Sequence, residues 1–222
     1  MPVLPTLLDK LNFIRRFYDS ASAPFVETLG KIERHEEPFD HFNVDDDEPP
    51  FQLEWFDADE SLNILGKSCL CLLQNAFSNY LDRFIDTYRE INQGHSLATV
   101  GGNSWFERRR RFFLQAYNID WAAAPIDVNF LEEINFARND IQHGGVFYNM
   151  DHRQNPDYFN RFPATIFVDQ WELQFPEAVR PRIAVTRDNL FAAIEAIEDF
   201  CSYLDAEWRR LSEGNVGVVG AA

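Results

Sequence analysis

The chain has 222 residues, 45% of them hydrophobic, with 21 Phe and 5 Trp. That is enough to bury a sizeable core in one domain, or one domain with an appendage, and it speaks against disorder of the whole. With 36 acidic and 20 basic side chains the formal charge is -16, which argues against a protein that coats nucleic acid by bulk electrostatics.

No apolar run approaches the length needed to cross a bilayer, and Met1 to Arg16 carries Asp9, Lys10, Arg15 and Arg16 where a signal peptide would have its apolar core. The expectation is a cytoplasmic protein with no membrane partner. Leu7, Leu8, Leu11, Ile14 and Phe17 predict a helix over 3–20. A second helix is expected from Pro24 to about Arg34, with Phe25, Leu29 and Ile32 on one side. The acid- and proline-rich run from Glu36 to Pro50 reads as a loop or linker, which makes residues 1–50 an N-terminal helical arm with an acidic loop. Phe51 to Phe56 alternates like a short strand.

Asp57-Ala58-Asp59-Glu60 resembles a capping box, and a broad stripe from Leu62 through Leu73, Phe77 and Phe84 to Ile91 predicts a long helix ending at Gln93-Gly94. Ser104, with Glu107 three positions on, caps a helix bearing Trp105, Phe112, Phe113 and Tyr117. Asp127 opens the next, which carries Phe130, Leu131, Ile134, Ala137 and Ile141. Residues 165–168, 171–175 and 182–185 read as strands of a small β insertion at about 146–186. Thr186 caps a last long helix through Trp208. The expected fold is mainly α: an antiparallel helical bundle over 51–212 with that insertion between its last two long helices, and a flexible tail at 213–222.

The three cysteines do not make a disulfide framework or a zinc site. Cys69 and Cys71 fall on different faces of one helix, and Cys201 lies far along the chain. His35, His41, His95 and His152 show no metal spacing. His41 lies in the acidic loop with Asp45, Asp46 and Asp47, where a solvated linker is favoured over a cation site. No phosphate-binding glycine loop, dinucleotide pattern or serine nucleophile motif is present, and no metal or other cofactor is expected.

Chemistry concentrates in Ala137-Arg138-Asn139-Asp140-Ile141-Gln142-His143, followed by Gly144-Gly145 as a helix stop. Histidine carries a proton near neutral pH, and arginine holds a fixed cationic fork on a phosphate as charge builds. The segment resembles the R-x4-6-H signature of HEPN-domain proteins, an α-helical superfamily rich in ribonucleases of toxin, CRISPR-associated and phage-defence systems. Arg138, the polar Asn139 directly after it, and His143 match the three defining positions. The resemblance is sharp over these six residues and loose over the helical pattern of about 57–212. It implies a homodimeric endoribonuclease that cleaves an RNA substrate without a metal, with Arg138, Asn139 and His143 catalytic. An antitoxin or defence-system partner is implied as well.

The bland alternatives are a macrodipole contact for His143, a salt bridge for Arg138 and a surface amide for Asn139. His143 lies about 140° around a regular helix from Arg138, so the two do not share a row. Two copies meeting about a two-fold axis would bring two histidines and two arginines to one phosphate. Arg108, Arg109, Arg110 and Arg111 form the one dense basic run and are candidates for guiding RNA, against the competing expectation that they pair with carboxylates. Four consecutive residues cover every face of a helix. The rival function is a non-catalytic HEPN-like module that binds a protein or nucleotide.

Overall fold

A computed structural model describes residues 3–40, 50–88, 95–102, 104–143, 161–162, 165–175 and 182–216. Among them, five α-helices account for most of the chain: α1 (Val3–Arg34), α2 (Gln52–Thr87), α3 (Trp105–Tyr117), α4 (Val128–His143) and α5 (Arg187–Val216). No strand occurs among the described residues, and the mainly helical class expected from periodicity holds. The chain divides into two compact units. The first takes the residues up to Leu11, Leu73–Phe136 and those from Ala192; the second takes Asn12–Leu72 and Ala137–Phe191.

In the first unit, α2, α3 and α5 meet through aromatic side chains. Phe84 lies 5.3 Å from Phe113, 5.8 Å from Tyr117 and 6.0 Å from Trp208, ring centre to ring centre. Trp121, fully buried, packs edge-on against Phe106 and Phe200. Each such pair adds roughly 0.5–1.5 kcal/mol beyond the area it buries. The buried Tyr80 hydroxyl donates to the Cys201 carbonyl at 3.0 Å, and the Gln74 amide donates to Asn135 Oδ1 at 2.9 Å. These bonds satisfy polar groups that would otherwise be costly in a core.

The order of contacts corrects the expected antiparallel bundle. Phe77 meets Trp105 and Phe200, while Phe84, about two turns further along, meets Tyr117 and Trp208. Along this unit α2 runs in the same sense as α3 and α5. The connection between Thr87 and Trp105 is long enough to let α3 begin beside Phe77.

Local signals explain most helix ends. Ser104 Oγ accepts from the Glu107 N–H at 3.0 Å, and Asn118 leaves α3 in the left-handed conformation at φ 55°. Asp127 accepts from the Asn129 N–H at 2.9 Å, and Thr186 from the Asn189 N–H at 3.2 Å, as expected of caps for α4 and α5.

Three expectations fail locally. Residues 3–34 form one helix, with Pro24 inside it, in place of two. Gln52 to Phe56 begin α2 and are not a strand; Leu53 and Phe56 stay exposed there, and no strand lies among the described residues to pair with the alternating pattern. Asp57 consequently lies within α2 and does not cap it. In the second unit the anticipated β insertion reduces, among the described residues, to one antiparallel bridge between Val168 and Ile183. Residues Glu172–Gln174 form a 3-10 turn in place of a strand. The expected tail at 213–222 begins instead as helix, since α5 runs to Val216; its residues 217–222, residues 41–49 of the acidic loop, Gln93-Gly94 and Gly144-Gly145 lie outside the described residues.

Candidate functional site

Asp127 starts α4, and Leu131, Ile134, Ala137 and Ile141 are its buried stripe. A helix buried on that stripe carries its neighbours Arg138, Asn139 and Asp140 at the border of the core, where all three are half-buried. Arg138 Nη1 donates to Asn139 Oδ1 at 2.9 Å. The amide therefore engages the guanidinium directly, and a planar five-donor group with one corner held is restricted in the directions it can present the others. α4 ends at His143, whose side chain lies outside the described residues.

Sequence reading missed one neighbour of this arginine. Cys71, on α2 and half-buried, feels the Arg138 charge: burial pushes its thiol above the usual range, and the guanidinium pulls it back. Nothing in the local sequence joins the two, because they come from different helices of the second unit. Cys69 and Cys201 are buried and free, in keeping with inert core thiols.

The basic run divides by helical face. Arg109 turns inward: its guanidinium pairs with Asp82 at 2.6 Å and lies 4.1 Å above the Trp105 ring. Only 10% of that side chain is exposed, so Arg109 is not available to RNA, contrary to the expectation for it. Arg111 is exposed but pairs with Glu107 one turn back. Arg108 and Arg110 are exposed. One face of α3 uses its arginine for packing and the others keep theirs in solvent.

A second ionic group, also missed, joins α2 to the segment before α5 within the second unit. Glu172, itself buried, accepts from the Arg182 backbone N–H and from Arg182 Nε, both at 2.6 Å. Lys67 lies in the field of Glu60, Glu172 and Arg182, and burial lowers its ammonium below the usual range. Asp59 is pushed up by burial first, then by Glu60.

Among the described residues no group of three or more His, Cys, Asp or Glu is arranged to hold a metal ion. None of the described helices is long and apolar enough to cross a membrane. No protein-family model, curated protein or solved structure matches the chain.

Proposed function

We propose that the chain is a HEPN-like, metal-independent endoribonuclease that acts as a homodimer within a toxin–antitoxin or phage-defence system. The observation that supports it best is the 2.9 Å bond from Arg138 to Asn139 on the helix that His143 closes. The polar residue after the arginine would then orient the guanidinium toward a phosphate. In the reaction a histidine takes the proton of the substrate 2'-hydroxyl, whose oxygen attacks phosphorus. Arg138 balances the charge of the phosphorane. The bond to the 5'-oxygen breaks, and a second histidine protonates that oxygen. The second histidine comes from the other copy, since Arg138 and His143 of one chain supply a single proton-transfer group.

The test is cleavage of single-stranded RNA by the purified chain with chelator present. Expected products end in 2',3'-cyclic phosphate and 5'-hydroxyl, DNA of the same sequence survives, and the rate is bell-shaped in pH. Arg138→Ala and His143→Ala should each abolish cutting, while Asn139→Ala, which removes the 2.9 Å bond to the guanidinium, should slow it by about tenfold.

A second reading, a non-catalytic module that binds a partner protein or nucleotide, is favoured by the net charge of -16 and by exposed apolar side chains such as Leu53 and Phe56. Diverse RNAs left intact by the dimer, or cutting unchanged in His143→Ala, would select it.

A further inference from the structure

The beginning of α2 is exposed on nearly every side. Of residues 52–60 only Ala58 is buried. Leu53 is 77% exposed, Phe56 53% and Trp55 37%, and the Trp55 and Phe56 rings meet edge to face at 5.5 Å. Leu53 and Phe56, three apart, share a helix face. This apolar group is not a loose end. Phe51 enters the helix in a left-handed conformation, φ 60°, with the Phe39 ring packed against it at 5.1 Å. A side chain as bulky as phenylalanine rarely adopts that conformation unless its surroundings hold it.

Exposed apolar side chains grouped on an ordered helix mark interaction surfaces. The charge around them narrows the occupant. Glu54 and Asp57 border the group and are exposed, as is Glu37 in the turn before Phe39. Asp59 and Glu60 carry further negative charge, offset in part by Arg182 and Lys67. From His35 to Gly66 the sequence holds no lysine or arginine at all. Nucleic acid and anionic membrane are repelled by such a surface. A second copy of the chain would set Glu54 and Asp57 against themselves.

We propose that the first turns of α2 dock a basic, amphipathic segment of a different protein, whose apolar side chains cover Leu53, Trp55 and Phe56 while its lysines or arginines meet Glu54 and Asp57. The site is separate from Arg138, so it stands whether or not the chain cuts RNA.

The test uses the full chain and a fluorescein-labelled peptide with leucine and lysine at helical spacing, followed by anisotropy. The wild type should bind it. Leu53→Ser with Phe56→Ser, which leaves the charge unchanged, should weaken binding at least tenfold. Glu54→Gln with Asp57→Asn should weaken it and flatten its salt dependence. A peptide with the same lysines but serine for leucine should bind at least tenfold more weakly. Leu53→Lys, a single change at the most exposed position, should reproduce the loss if the double variant is poorly folded. Equal binding by the wild type and the Leu53 variants would overturn the proposal, because the attraction would then be bulk charge alone. It would equally be overturned if those variants abolished self-association of the chain, which would make the face a contact between copies.

Discussion

At the scale of single residues, Arg109 shows how a cation can serve packing. Its neighbours Arg108 and Arg110 reach solvent, while Arg109 lies against Trp105 and Asp82. Arg109→Ala removes the ring contact and leaves the Asp82 carboxylate without that partner. A loss of about 2 kcal/mol is expected, tempered by the half-exposure of Asp82. Arg108→Ala should change stability by less than about 0.5 kcal/mol. Urea unfolding of the two variants decides the matter, and equal midpoints would refute the division of faces. Buried titratable groups make a second prediction. Burial pushes the Cys69 thiol from 9.0 to about 11 and the Tyr117 hydroxyl from 10.0 to about 12. The unfolded chain ionises these groups first, so their stabilisation is complete below pH 9 and is lost progressively between pH 9 and 12. Cys69→Ala should flatten the early part of that loss in a pH series of unfolding midpoints, whatever its effect at neutral pH.

Among the elements, α2 and the segment preceding α5 come together in the second unit at Gly66. A Cβ there would overlap the Val185 carbonyl oxygen. Gly66→Ala gains about 1 kcal/mol of helix propensity, yet the forced separation costs more. A net loss of about 2 kcal/mol is expected in denaturant melts, whereas Gly101→Ala, with nothing near its Cβ, should be neutral. A stabilised Gly66→Ala would show that the packing can open at no cost. The sequence disclosed elements where the signal is local. Ser104, Asp127 and Thr186 each accept a backbone N–H at a helix start because a short polar side chain meets the same orphan donors wherever a helix begins. It misled where the deciding contact is remote. Phe51 to Phe56 alternates like a strand, but pairing needs a second strand. Pro24 reads as a break, but α1 continues through it: Leu11 and Ile14 before it are buried, and Phe25, Leu29 and Ile32 after it, on the face the sequence marks as apolar, are half-buried.

For the whole molecule, the charge of -16 and the proposed mechanism pull in opposite directions. The charge opposes association of two copies; the shortage of proton-transfer groups requires it. A dimer at micromolar concentration is expected by light scattering, strengthening as salt screens the repulsion. A strict monomer at every ionic strength would remove the two-histidine mechanism. The candidate site was legible only as far as its own helix reaches. Arg138 and Asn139 are adjacent in sequence and adjacent in space. The pull of the Arg138 charge on Cys71, and the pairing of Glu172 with Arg182, depend on segments brought together by the fold.

The aromatic packing of the first unit also separates the tryptophans optically. Trp105, Trp121 and Trp208 belong to that unit, and Trp121 and Trp208 are shielded from solvent, while Trp55 and Trp171 of the second unit are open to it. Tyr88 stacks on Trp208 at 4.0 Å and 30°, close enough for its excitation to pass to the indole. The native emission should therefore have two components: a blue one that also gathers light absorbed by tyrosine, and a red one quenched by acrylamide, whose neutrality lets it reach an acidic surface. Acrylamide-sensitive fluorescence would report on the exposed indoles, Trp55 beside Phe56 and Trp171, while tyrosine-excited fluorescence follows the core, so each unit carries its own colour without a label.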